Sequence, residues 1–125
     1  MIAIPLDTQN STIISQLYGN APFFALLDVN SGFCKVVKNE ECGNGPKIVP
    51  FLKELGISKT VFIHMGEKLF NFYNDANVEV FTCKDKKASI DAIYNDYLIE
   101  SLVKLDTTNY KDLVDSDCTS CGCKY

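Results

Sequence analysis

Three cysteines, Cys118, Cys121 and Cys123, crowd the end of this 125-residue chain in a Cys-x-x-Cys-x-Cys spacing. Three soft thiolates this close, with Gly122 letting the backbone fold tightly, suit Cu(I), Zn or an Fe-S centre. The competing use of the same residues is thiol redox chemistry, which needs a titratable dithiol and no metal. Elsewhere the groups able to ligate or react are few: Cys34, Cys42, Cys83 and the single histidine, His64. Gly43-Asn44-Gly45, directly after Cys42, reads as a turn whose backbone N–H groups could meet an anion such as a sulfide cluster. Each has a plainer role as well. A lone histidine is often a hydrogen-bonded packing residue, a free cysteine a small buried hydrophobe, and a glycine turn a simple strand-to-helix connection. Cys34 is assigned to the buried hydrophobes.

The elements that would position these groups follow from apolar periodicity. Ile2-Ala3-Ile4 is apolar on both faces, as a central strand covered by helices would be, and Pro5 is expected to end it. A long polar loop runs from Leu6 to Ala21. Phe23 to Val29 and Phe33 to Lys38 flank Asn30-Ser31-Gly32 and predict a hairpin. Ile48, Phe51, Leu52 and Leu55 keep helical spacing before Gly56, with Pro50 awkward near the helix start. Further strands are expected at Thr60–Ile63 and Val78–Phe81. Helices are expected after Gly66, ending near Asn77, and from an Ser89 N-cap towards Leu105. The aromatics Phe70, Phe72, Tyr73, Tyr94 and Tyr97 read as core. This order gives a three-layer α/β/α domain around a mixed five-stranded sheet with one antiparallel strand. If the first, third, fourth and fifth strands are parallel, their carboxyl ends share one edge, where α/β proteins bind ligands. Cys42, His64 and Cys83 would then meet near the loop holding Ser15 and Tyr18, with Cys34 at the opposite edge.

Composition excludes several classes. With 46% hydrophobic and 22% charged residues the chain reads as one ordinary globular domain, residues 1–105, followed by a polar cysteine-rich tail, 106–125. A net charge of −4 and no basic stripe argue against nucleic acid as partner. No apolar run approaches the roughly 20 residues of a membrane span, and the expected location is the cytoplasm, where six cysteines stay reduced or bind metal.

Ile2-Ala3-Ile4-Pro5, the Ser15–Gly19 turn, Ala21-Pro22-Phe23-Phe24, Gly43-Asn44-Gly45-Pro46 and Ser89-Ile90-Asp91-Ala92 together resemble the nitrogenase iron-molybdenum cofactor biosynthesis accessory family. That group includes the NifX and NafY type, the carboxy-terminal part of NifB, and the orange protein. The resemblance covers roughly residues 1 to 105. It implies a ribonuclease-H-like fold and a non-enzymatic carrier or chaperone that binds and transfers a metal-sulfur cluster of the Fe-Mo-S or Mo-Cu-S type. The implied partners are cluster donor and acceptor proteins, and the implied state is a monomer or weak homodimer. Carried onto this chain, the cluster site would involve Ser15, Tyr18, Gly19, Cys42, Gly43, Gly45, His64 and Cys83, with Cys118, Cys121 and Cys123 as metal ligands. Two departures stand out. Where many members read Ser-x-His-Phe-Gly, this chain has Ser15-Gln16-Leu17-Tyr18-Gly19, and where they have a glycine-rich turn it has His64-Met65-Gly66. Two alternatives are a redox, Zn or Cu protein acting through the tail, and a metal-dependent nuclease-type enzyme. For the second, Asp7 is the only acid at a suitable strand end.

Overall fold

A computed structural model describes residues 1–83, 85–106 and 109, so the expectations for Cys118, Cys121 and Cys123 lie outside the described residues. The chain folds as β1 (Ile2–Leu6), β2 (Phe23–Leu27), β3 (Cys34–Lys38), a 3-10 turn (Gly45–Lys47), α1 (Ile48–Glu54), β4 (Lys59–Phe62), α2 (Glu67–Asp75), β5 (Glu79–Thr82), α3 (Ile90–Leu98) and β6 (Val103–Lys104). The sheet runs β3-β2-β1-β4-β5-β6. β1, β3, β4 and β5 point the same way, and β2 and β6 are reversed. One apolar cluster joins Ala3, Phe24 and Phe62 to α1 and α2 through Ile48, Leu52, Leu69 and Tyr73. A second joins Ile2, Ile4, Val61 and Phe81 to Ile93 of α3. The three layers therefore stand as expected. Alternate residues of β1 feed opposite clusters, which is why the strand reads as apolar on both faces.

Pro5 does not end β1; it lies inside the strand opposite Phe24. In an antiparallel ladder a residue's N–H and C=O point to the same side. The Pro5 carbonyl accepts from the Ser15 N–H at 2.7 Å, so its missing N–H faces the incoming loop, beyond the β1/β4 ladder, which pairs only Ile2 and Ala3. No sheet hydrogen bond is lost there. Pro50 is equally harmless. It is the third residue of α1, where the N–H has no intrahelical acceptor.

Among the described residues the sheet has six strands, not five, and two of them are reversed, because α3 stops at Leu98 and does not continue towards Leu105. All three α-helices end with the same pair of bonds. After α1, the Gly56 and Ile57 N–H groups donate to the Lys53 and Leu52 carbonyls; after α2, Asn77 and Val78 donate to Asn74 and Tyr73; after α3, Glu100 and Ser101 donate to Tyr97 and Asp96. Each needs a residue at positive φ, filled by Gly56 (89°), Asn77 (62°) and Glu100 (60°). Glycine and asparagine advertise that conformation in a sequence; glutamate does not. The chain then reverses into β6, which pairs with Thr82 and Phe81 and buries Leu105. Asp106 and Asn109 exchange side-chain-to-backbone hydrogen bonds just beyond it, and the Asn109 amide donates to the Lys104 carbonyl. Phe72 also departs from expectation. It is 49% exposed and lines a groove with Val49 and Pro50 between α1 and α2.

Candidate functional site

The strand directions bring four loops to one edge of the sheet: 7–22 after β1, 39–47 after β3, 63–66 after β4 and 83–89 after β5. Cys34 starts β3 at the other edge, as expected. It is exposed, however, not buried, because β3 is the outer strand and, among the described residues, pairs with β2 alone. Burial of part of its side chain and the nearby Asp91 charge push its thiol up.

Buried polar side chains are few, since each costs about 1–3 kcal/mol if left unpaired. Among the described residues they are Ser15, Asn39 and Thr60, and all three brace the loops of this one edge. Ser15 Oγ donates to Asp7 at 2.5 Å and accepts from the Leu17 N–H at 3.0 Å, which folds the first loop back on the end of β1. Thr60 Oγ1 donates to the Ala3 carbonyl at 3.0 Å, so towards Tyr18 it can only accept. Tyr18 therefore donates to Thr60 and accepts from the Tyr73 hydroxyl at 2.7 Å. Burial pushes both phenols well above the ordinary tyrosine range. This relay ties the first loop to β4 and α2.

Asn39 uses its whole amide. Its Nδ2 donates to the Gly19 carbonyl at 3.2 Å and the Ala21 carbonyl at 2.8 Å, while its Oδ1 accepts from the Glu41 N–H at 3.1 Å. The first and second loops are thereby clamped together. Gly43 N–H donates across the same seam to Gly19 O at 3.1 Å, and the Cys42 thiol donates to Asn20 O at 3.3 Å. Gly43 sits at φ 77°, a conformation that disfavours any side chain, although a Cβ there would meet Asn20 Oδ1 only at ordinary contact, 3.4 Å.

Of the sequence-predicted residues, Ser15, Tyr18, Gly19, Cys42 and Gly43 are joined in this assembly. The glycine turn does not display a row of amides. The Cys42, Gly43 and Asn44 N–H groups donate to Asn39, Gly19 and Glu41 carbonyls, and Gly45 is buried at the start of the 3-10 turn. The turn exposes Cys42, Gly43 and Asn44, and of these Cys42 carries the group able to ligate or react. His64, just past β4, is also exposed. Cys83 instead packs among Ile14, Ala88 and Ile93 under α3, donates to the Asp85 carbonyl at 3.2 Å, and has its thiol pushed up by burial. It lies in the α3-side cluster, whereas Tyr18 lies in the other. Cys42 and His64 follow strands three places apart in the sheet, about 14 Å at the usual strand spacing. Among the described residues no three His, Cys, Asp or Glu side chains are grouped to share one metal ion. Asp7 is engaged with Ser15.

Asn39, Thr60 and Tyr73 were not legible as supports. Asn39 follows a strand, and an Asn ahead of a Cys-Gly-Asn-Gly turn is the one cue that could have flagged it.

The fold and this edge define a three-layer α/β protein that presents an exposed thiol on a loop clamped to its neighbour and an exposed imidazole just past β4. Residues 1–99 match the family described as dinitrogenase iron-molybdenum cofactor, and the chain belongs to that family. A search of curated proteins finds no match. Among solved structures, a Thermotoga protein provisionally described as NifB superposes with a TM-score of 0.70 at 24% identity, over 85% of this chain and 93% of that one. The apo form of the orange protein from Desulfovibrio gigas gives 0.71 at 17% identity, over 83% and 91%. A Methanocaldococcus jannaschii protein provisionally described as a dinitrogenase gives 0.66 at 14%, over 84% and 93%. At these identities the structures speak for the fold. No helix among the described residues is long and apolar enough to cross a membrane.

Proposed function

We propose that this chain is a cytoplasmic carrier that holds a metal-sulfur cluster as cargo at the carboxyl edge of its sheet and passes it between donor and acceptor proteins, without catalysing a reaction of its own. The observation that carries this reading is the use of all the buried polar side chains among the described residues, Ser15, Asn39 and Thr60, to brace one set of loops. The family's description, dinitrogenase iron-molybdenum cofactor, supports an iron-molybdenum type cluster as the cargo. Within that reading Cys42 and His64 are the contacting groups on the described edge. Ser15, Tyr18, Gly19 and Gly43 shape the loops around Cys42, with the Gly43 N–H donating to Gly19 O across the seam. Cys118, Cys121 and Cys123 supply the further thiolates that Cys42 and His64, on loops after strands about 14 Å apart, do not. Metal capture at Cys42 replaces the S–H bond with an S–metal bond, sends the proton to solvent and ends the hydrogen bond to Asn20 O. The order of the first five strands, with only β2 reversed, suits the ribonuclease-H-like expectation, with β6 as an addition.

The test is anaerobic reconstitution with iron and sulfide, with thiomolybdate and copper, and with zinc, followed by metal analysis and visible spectroscopy. A stoichiometric sulfide-containing complex is expected. Zinc or copper uptake without sulfide would favour a simple thiolate site in the tail, and no uptake under any condition would reject the reading.

A further inference from the structure

We propose that Asn39 is the positioning residue of the site: through its clamp on residues 19–21 and 41 it sets where the Cys42 thiol stands and how readily it reacts. This rests on the reading of Cys42 as the site thiol. Its separation from the reactive sulfur is bridged by the backbone of residues 40 and 41.

Asn39 is 3% exposed and saturated, with both amide protons given to the Gly19 and Ala21 carbonyls and its oxygen taken by the Glu41 N–H. Its own backbone N–H donates to Pro22 O at 2.9 Å, and its carbonyl accepts the Cys42 N–H at 3.3 Å. One residue therefore holds the segment on either side of Asn20 and the segment leading into Cys42. The Cys42 sulfur finds Asn20 O at 3.3 Å because these two segments are fixed relative to each other. The sulfur must leave Asn20 O before it can reach an electrophile or a metal, so whatever fixes the two segments relative to each other sets its availability. Loosening the clamp frees the sulfur from Asn20 O and raises its reactivity. Asn39→Asp keeps the acceptor for Glu41 but loses both donors and turns a carboxylate towards two carbonyl oxygens; Asn39→Ala loses all three bonds.

The experiment follows iodoacetamide alkylation of each cysteine in the full reduced chain by peptide mass spectrometry. Cys34, exposed at the opposite edge, is the internal reference, and Cys83, buried, reports on unfolding. In both Asn39 variants the Cys42-to-Cys34 rate ratio is expected to rise by roughly threefold or more, the factor that one lost hydrogen bond carries. Cys83 is expected to stay protected. The core truncation Val49→Ala, away from the seam in α1, is expected to leave the ratio unchanged. An unmoved ratio in both Asn39 variants with Cys83 still protected overturns the proposal. If both variants unfold, seen as Cys83 alkylating as fast as Cys34, amide exchange in the unmodified chain decides. Slowed Glu41 and Gly43 amides support the clamp, and exchange at the unstructured rate overturns it. Reconstitution of the unmodified chain with iron and sulfide separates the two levels. A ratio that moves in a chain that takes up no cluster leaves Asn39 standing and removes the carrier reading.

Discussion

Replacing Tyr18 by phenylalanine removes one oxygen from the centre of a buried three-hydroxyl relay. Thr60 must donate to Ala3 O, so the proton direction is fixed as Tyr73 to Tyr18 to Thr60. Loss of the middle hydroxyl leaves the Tyr73 O–H buried with no acceptor, a fully buried donor whose desolvation is then uncompensated. The expected cost is about 2 kcal/mol, and with a urea m-value near 1.5 kcal/mol/M this lowers the midpoint by about 1.3 M. Tyr73→Phe alone removes only the terminal donor, for about 1 kcal/mol. The double variant has neither phenol hydroxyl and strands no donor, since Thr60 still donates to Ala3 O. It is expected to be more stable than Tyr18→Phe. The Tyr73→Phe change thus reverses sign between the two backgrounds, with a coupling of about 1–2 kcal/mol. Urea unfolding of the four proteins, monitored by circular dichroism and tyrosine fluorescence, measures the cycle. Additive losses, or a double variant weaker than Tyr18→Phe, refute the assigned proton direction.

The same two phenols give an alkaline limb. Unfolded tyrosines ionise near pH 10, while burial holds Tyr18 and Tyr73 above that. Stability should be level below about pH 10 and fall as pH rises past it, and the fall should flatten in the double phenylalanine variant. Glu79 has its carboxyl held below the usual range, first by the Lys104 hydrogen bond at 2.9 Å. Its contribution is present above the ordinary carboxylate range and lost as pH falls through the folded value. With its side chain 40% exposed, Glu79→Gln should remove only a small acid-side change in thermal midpoint, and a large one would contradict the surface geometry. Cys42→Ser and His64→Ala, compared at equal folded fraction, should weaken cluster retention more than the tenfold typical of indirect effects, while Cys34→Ser leaves it intact; damage from Cys34→Ser would break the site assignment. Cutting the chain before Asp106 should lower the urea midpoint through the lost Asp106–Asn109 pair and the lost Asn109 bond to Lys104 O.

What the sequence alone determined were features with a local cause. Apolar periodicity placed β1 to β5 and the three α-helices, since burying one face requires period two or 3.6. Strand direction then followed from connection rules, which put Cys42 and His64 on one edge and Cys34 on the other. Gly56 and Asn77 marked helix ends because their side chains tolerate positive φ. Tertiary structure decided the rest. Glu100 takes the same conformation with no local preference for it, because the reversal lets Val103 and Leu105 reach β5, and that added β6. Pro5 stays in β1 because the neighbouring ladder has already ended beside it. Cys83 turned inward and Cys34 outward according to which face and which edge had neighbours, information that no residue carries by itself. The brace of the site was least visible. Asn39, Thr60 and Tyr73 act on residues up to 57 positions away, and a hydrogen bond between distant segments leaves no period or spacing in the chain.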